Sequence, residues 1–312
     1  MCGRTAITKS AGEIADACSY RGRNNEVQKP TWKGNGSKTY NGSYNKGPKS
    51  CSPILLQNRL QHSGTNEELS ERIIMPMQWG MVPSWHKGDP KKFNFNMINC
   101  RCDTITEKKS FAKALEHGQR CVVLAEGFYE WHAENGNKQP YYIQLKDSIT
   151  PHLQFNKEIE NEEDGSCQTK KSGKQLLTMA GLFDKHVSEE QGELYTYTII
   201  TVDSSSSIKW LHHRMPAILE TPESVERWLD AANVSDEKAL ELLKPTNCLE
   251  WYPVSEVVNN VRNDTSDCIK KIDLAKIKAR KAKSGMLMAN WLKKGEKRKS
   301  VDESESAHKK TK

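Results

Sequence analysis

No apolar run in this sequence approaches the roughly 20 residues that a membrane-spanning helix needs, and its start lacks the charged and apolar pattern of a secretory signal. Neither helical insertion nor export is expected, and the sequence reads as a cytosolic or nuclear protein. Paired cysteines are lacking too. The nine cysteines are odd in number, irregularly spaced and include no C-x-x-C, which argues for a reduced protein and against a disulfide scaffold. Metal-ligand spacing is equally sparse. Cys100 and Cys102 with His212 and His213 come nearest to a zinc set, but C-x-C and His-His lack the usual offsets, so no metal and no cofactor is expected. The body of the chain has little positive charge to spare. Residues 269–312 carry fifteen Lys and Arg against five Asp and Glu, so of the overall +7 about −3 is left for residues 1–268. A polyanion held by that part must meet a local basic patch, not a global field.

What is present begins with Met1-Cys2-Gly3-Arg4. Once the methionine is removed, Cys2 carries a free amine and a thiol on adjacent carbons. The α-amine titrates near ~7.7–8.0, so part of it is uncharged at neutral pH. The chemical partner of a 1,2-aminothiol is an aldehyde: the amine forms a Schiff base and the sulfur closes on the imine carbon to give a five-membered thiazolidine. Taken alone, a small residue at position two carries no chemistry in most proteins.

Along the chain, residues 5–18 read as a short apolar segment and then a helix entered from Ser10. Residues 21–50 are rich in Gly, Asn, Lys and Ser and read as a long loop ending in the turn cluster Ser43-Tyr44-Asn45-Lys46-Gly47-Pro48, with a strand around 53–57 after it. Residues 72–85 alternate like a strand and then run into Trp79-Gly80, Pro83 and Trp85, a rigid wall that is either buried core or a stacking surface. Residues 87–103 interleave Phe with Lys and Arg, the composition of a single-strand groove and also of many solvated loops. Strands are expected at 121–125, 128–131, 140–145, 176–183, 194–202 and 248–254, and helices from the caps Thr221 and Ser235 through Leu229 and Leu243. Glu130, between Tyr129 and Trp131, is either an exposed strand residue, which the pattern favours, or a buried acid suited to proton transfer. His212-His213-Arg214 stands at the mouth of a short apolar strand, where site residues often sit. Residues 146–174 read as a polar insertion and the basic residues beyond 273 as a solvated tail that also fits nuclear import.

Met-Cys-Gly-Arg, Trp79-Gly80 with Pro83, Asn99-Cys100-Arg101, Gly127-Phe128-Tyr129-Glu130-Trp131 and His212-His213-Arg214-Met215-Pro216 together resemble the ordered motifs of the SRAP family, named for SOS-response-associated peptidases. The long insertions are most similar to its animal branch of abasic site processing proteins. The resemblance covers residues 2–270, with insertions at about 21–42 and 146–174, and leaves 271–312 as a largely disordered basic tail. It implies an α+β fold, a curved and mostly antiparallel sheet or barrel with helices around it. It also implies a sensor of abasic sites in single-stranded DNA. Cys2 would form the thiazolidine crosslink with the open-chain aldehyde, Glu130 would assist ring opening and Schiff-base formation, His212 would act as acid and base, and Asn99 would orient the terminus. Arg4, Arg101 and Arg214 would grip phosphates. Trp79 and the Asn45 to Pro48 turn would wedge the strand at a junction with duplex, as at a replication fork in the nucleus, where the crosslink would shield the lesion.

The family's animal branch carries a sliding-clamp motif; here the nearest string, Met286 to Leu292, lacks its glutamine and aromatic pair. Nothing indicates oligomerisation, so a monomer is expected. Two other readings are a peptidase using Cys2 as N-terminal nucleophile, and a non-covalent reader of modified cytosine that has no need of Cys2.

Overall fold

The computed structural model describes residues 2–22, 25–34, 38–57, 71–93, 97–134, 136–146, 175–188, 192–280 and 283. The chain divides into two units, Met1–Lys270 and Lys271–Lys312. In the second, Asp273 accepts from the backbone N–H groups of Ala275 and Lys276 and so caps a helical stretch over 274–280. Most of the insertion expected at 146–174, and most of the tail, lie outside the described residues.

The first unit opens with β1 (Thr5–Ile7) and α1 (Ala11–Ala17). Ser10 and Glu13 form a reciprocal capping box at the start of α1, which fixes the helix where the sequence places it. The stretch expected as a loop contains four short strands instead: β2 (Tyr20–Arg21), β3 (Val27–Gln28), β4 (Thr31–Trp32) and β5 (Ser43–Lys46). Two-residue strands have no period for a sequence pattern to show, and their pairing comes wholly from neighbours.

Next come β6 (Cys51–Gln57), β7 (Arg72–Trp79), β8 (Asn99–Arg101) and α2 (Lys109–Glu116). Helix α2 was not expected, although Phe111, Ala114 and Leu115 bury one face at helical spacing. Strands β9 (Arg120–Ala125), β10 (Gly127–Glu134), β11 (Asn137–Leu145), β12 (Leu177–Ser188) and β13 (Gly192–Asp203) follow. The unit closes with β14 (Arg214–Pro216), α3 (Pro222–Leu229), α4 (Asp236–Leu240) and β15 (Leu249–Pro253).

Five strands form a closed barrel in the order β13-β12-β9-β6-β7. All pairs are antiparallel except the seam, where Thr196 and Tyr197 of β13 pair in parallel with Gln78 and Trp79 of β7. Closure removes the open edges of the central sheet, and Ile54, Leu55, Ile73, Val122, Leu177 and Ile199 are among the residues of its core. Pro76 sits in the middle of β7 opposite Pro53. Among the described residues the β4 pairing ends at Ile74 and the seam begins at Gln78, so Pro76 falls between the two, where a missing N–H is tolerated.

A second sheet, in the order β15-β11-β10-β1-β5, continues from the barrel through the Glu126 link between β9 and β10. Gly127 is required at that link: a Cβ would fall 2.3 Å from the Tyr142 ring and 2.7 Å from the Ile143 carbonyl oxygen. The architecture is α+β, a curved and mostly antiparallel barrel with a few short helices.

Candidate functional site

The amino-terminal segment is fastened at both ends. Glu126 accepts from the N–H and hydroxyl of Thr8 beyond β1, at 2.5 and 2.8 Å. On the other side the Tyr129 N–H donates to the Arg4 carbonyl at 3.0 Å, extending the ladder in which Thr5 faces Phe128. The same register carried two residues further brings Glu130 opposite Gly3, beside Cys2. Asn99, at the start of β8, donates from Nδ2 to the Cys2 carbonyl at 2.8 Å. Strand β8 is itself held parallel to β13, Asn99 facing Ile199. The orientation of Cys2 thus depends on two sheets meeting at one point.

Cys2 is fully buried. Burial pushes its thiol well above the ordinary range, and the neighbouring Glu130 carboxylate pushes in the same direction. At neutral pH the sulfur is therefore held as a thiol. Glu130 is also buried, at 5% exposure, so the alternative favoured by the sequence pattern, exposure, is overturned. Burial raises its carboxyl, opposed by the terminal ammonium and by the Trp131 N–H. The first half of β10 is buried on both faces and its Glu134 end is exposed, and the segment 204–213 lies over the Glu130 face, with Trp210 against His132 and Tyr141.

That covering segment is anchored by buried Ile208 and Leu211, by the Ser204 N–H on the His213 carbonyl, and by the Ser205 N–H on the Met215 sulfur. His212, half-buried, has Nδ1 at 3.0 Å from both the N–H and the carbonyl oxygen of Arg214, so either tautomer anchors the ring through that nitrogen. Burial lowers its pKa, and the positive charges of the terminal amine and Arg214 act the same way, against the Arg214 backbone contact, which raises it. The imidazole is held neutral near pH 7. His213 stacks on it with centroids 4.4 Å apart and is exposed.

Four of the residues expected at the DNA make their contacts within the protein. Trp79 is fully buried, stacks on Tyr197 at 6.2 Å and 8°, and donates from Nε1 to the Ile98 carbonyl; it is barrel-seam core, not an exposed wedge. Asn45 is a buried residue of β5, not of a turn. Its Nδ2 reaches the carbonyls of Val258, Asn260 and Asn263, and its Oδ1 accepts from Arg4 at 2.6 Å. Arg4 spends the same nitrogen on the Val258 carbonyl and lies 5.7 Å from the Trp131 ring centroid, so it anchors the amino terminus. Arg214 is 5% exposed. It donates to Asp203 at 2.7 Å, to the Thr201 carbonyl at 2.5 Å and to Asp103 at 3.3 Å, which commits both of its terminal nitrogens within the protein.

The other two keep surface positions. Arg101 is exposed and ion-paired with Asp103, whose carboxyl is lowered to about 2 chiefly by that guanidinium. Pro48 is exposed on the turn after β5, at the rim of an open groove of about 480 Å³ lined also by Lys38, Lys46 and Ser50. Asp103 and Asp203, which hold Arg214, were not singled out in the sequence. Acidic partners of an arginine leave no local pattern when one lies 111 residues away.

Among the described residues no group of three or more His, Cys, Asp and Glu could hold a metal ion, and no helix is long and apolar enough to cross a membrane.

The core position of Trp79 has a measurable consequence. Replacing it with Phe removes an indole hydrogen bond and some buried area, and is expected to cost about 1–2 kcal/mol of stability. Affinity for single-stranded DNA should be unchanged. Urea denaturation and anisotropy titrations check this; an intact midpoint with lost affinity would restore the wedge.

The family model for SOS response associated peptidase (SRAP) matches residues 1–261. The chain is 46% identical over 296 residues to the abasic site processing protein HMCES of Gallus gallus, covering 94% of this chain and 84% of that one. It is 32% identical over 233 residues to the abasic site processing protein YoqW of Bacillus subtilis, covering 74% of this chain and 86% of that one. A crystal structure of a protein from Bacteroides thetaiotaomicron, 23% identical, superposes with a TM-score of 0.62 over 87% of this chain and all of that one, a likeness of fold.

Proposed function

From the premise that the chain belongs to the SOS response associated peptidase (SRAP) family, we propose that it processes abasic sites in single-stranded DNA by a covalent crosslink through Cys2. The observation that carries this reading is the amino-terminal clamp: Asn99 holds the Cys2 carbonyl at 2.8 Å while the β1–β10 register sets Glu130 beside it.

The chemistry follows from the groups in reach. Removal of Met1 frees the Cys2 amine. The open-chain deoxyribose offers its C1′ aldehyde; the amine adds to that carbon, and the carbinolamine loses water to give an iminium. The Cys2 sulfur then bonds to the same carbon and its proton leaves, closing the thiazolidine with one water released in total. Glu130, protonated more readily than an ordinary carboxylic acid, donates the proton that the departing hydroxyl needs and takes back the thiol proton. Neutral His212 exchanges a proton with the sugar hydroxyl as the ring opens. The sequence of steps begins with the amine, so a thiol held protonated is no obstacle to it. The peptidase reading would need the amine or another base to take that proton as the sulfur attacks an amide carbon.

The crosslink covers the lesion while it lasts and can revert by the same steps run backwards. Action at replication forks in the nucleus belongs to the same proposal. Arg101 and the Pro48 rim are assigned the strand contacts, and Arg101 the phosphate grip. Arg101→Glu is expected to weaken intact and abasic strands alike and to flatten the slope of log K against log salt by about 1. Loss confined to abasic strands in salt-titrated anisotropy would contradict a phosphate role.

The deciding experiment incubates the Met1-processed protein with a uracil-containing single strand pretreated with uracil glycosylase, followed by denaturing gels and intact mass spectrometry. A detergent-stable adduct at the summed mass less one water, absent with Cys2→Ala, is expected. Binding without an adduct would move the assignment to a non-covalent reader.

A further inference from the structure

We propose that an aromatic shelf beside Cys2 and Glu130, formed by Trp210 with Tyr141, Trp251 and His132, stacks one unpaired nucleobase next to the abasic nucleotide. This rests on the abasic-DNA reading above and names a contact of that same site.

The ring centroids of His132 and Tyr141 each lie 5.1 Å from that of Trp210, and that of Trp251 lies 6.2 Å away; Tyr141 meets the indole nearly edge-on at 85°. The strand register explains why these rings gather. Glu130 pairs with Tyr141 and Ile143 with Trp251, so Glu130, His132, Tyr141 and Trp251 all stand on one face of the second sheet. The segment 204–213 crosses that face, with Ile208 and Leu211 pointing in and Lys209 and Trp210 left outward.

Burial argues against a purely structural cluster. Trp79 and Trp228 are both fully buried, whereas Trp210 remains 43% exposed even with three rings around it. The shelf is also continuous with the site. Trp210 lies two residues before His212, Tyr141 is the cross-strand partner of Glu130, and His132 is two residues beyond Glu130 on the same face. A strand whose abasic sugar reaches Cys2 and Glu130 carries a base on either side of it, and one of the two falls on this rim. Exposed Lys209 supplies a cation for the phosphate between them. Stacking is available from any base once it is unpaired, so the shelf selects single-stranded flanks and not sequence.

The test is a coupling measurement on the full chain. Three single strands carry a tetrahydrofuran abasic analogue, which binds but offers no aldehyde. In one strand both neighbouring bases are present; in the others the 5′ or the 3′ neighbour is replaced by a second base-less spacer. For the wild type, anisotropy is expected to show about a tenfold loss of affinity with one of the spacer strands and little with the other. Trp210→Ala should show that loss on the complete strand and no further loss with the spacer, and Trp210→Phe should keep most of the wild-type pattern. Equal spacer losses in wild type and Trp210→Ala, or a concentration-dependent self-association that Trp210→Ala abolishes, would overturn the shelf as a base platform. A normal Cys2 adduct alongside such a result would remove the shelf alone, whereas the absence of any adduct on an aldehyde-bearing strand would remove the abasic reading beneath it.

Discussion

Glu130→Gln is expected to slow formation of the Cys2 crosslink by about 10²–10³-fold while leaving affinity for undamaged single-stranded DNA unchanged. The substitution keeps the shape and hydrogen-bonding capacity of the side chain but removes the only group assigned to both giving and taking a proton at the reacting carbon. Because reversal runs through the same protonated intermediates, the preformed crosslink should also persist longer in the variant. Single-turnover gels with the aldehyde-bearing strand measure the rate, and anisotropy with an intact strand measures the affinity. Parallel losses in both would remove Glu130 from the chemistry and make it a binding residue. Stability should move the other way. Burial raises the Glu130 carboxyl, so the folded protein keeps this proton to higher pH than the unfolded chain, whose glutamates titrate near ~4.3. Above that pH the unfolded state has released a proton that the folded state still holds, and stability falls as pH rises through the folded value. Glutamine removes this cost. The variant is expected to match the wild type in urea near pH 3 and to exceed it at pH 7, so the site trades stability for a usable acid.

The parts of this architecture that the sequence makes legible are those with local pattern. The run Tyr195 to Val202 is β-branched and aromatic over eight residues, and β13 forms there; Thr221-Pro222-Glu223 and Ser235 begin α3 and α4 where their capping chemistry says. Barrel closure is not legible. It depends on two parallel residue pairs between Gln78–Trp79 and Thr196–Tyr197, more than a hundred residues apart, and neither strand shows which edge it will use. The same limit governs the site. Cys2, Asn99, Glu130 and His212 are proposed from motif position, and the fold brings Asn99 to Cys2 by a direct hydrogen bond. The contacts of Trp79, Asn45, Arg4 and Arg214 cannot be read that way, because a side chain's direction is set by partners elsewhere in the chain. Arg101 and Arg214 illustrate this. Each belongs to a three-residue strand adjoining β13, yet one is exposed and the other is enclosed by Thr201, Asp103 and Asp203. A pattern of residue types records that two arginines are present, and only the packing shows that one of them supports the histidine.

Arg214→Met is accordingly expected to behave as a structural lesion that reaches the chemistry through His212. The substitution keeps much of the apolar stem and removes the buried cation. Breaking a buried ion pair costs roughly 3–5 kcal/mol, and the low end, about 3 kcal/mol, applies here because the stranded carboxylates can hydrate: Asp203 is 84% and Asp103 48% exposed. The Thr201 carbonyl also loses its 2.5 Å donor. For a folded unit of this size the expected fall in Tm is about 6–12 °C. The loosened β14 backbone no longer holds Nδ1 of His212, and that contact, which raises the imidazole pKa, outweighs the opposing effect of the Arg214 charge. The His212 midpoint should therefore fall, and the acid limb of the crosslinking profile should move to lower pH. Intact-strand affinity should change little at a temperature where the variant is folded. Thermal melts, the pH profile of single-turnover crosslinking and an imidazole titration followed by NMR test the three parts. A variant with wild-type Tm and His212 midpoint that binds every strand more weakly would return Arg214 to the phosphates and leave Asp103 and Asp203 without the role given to them.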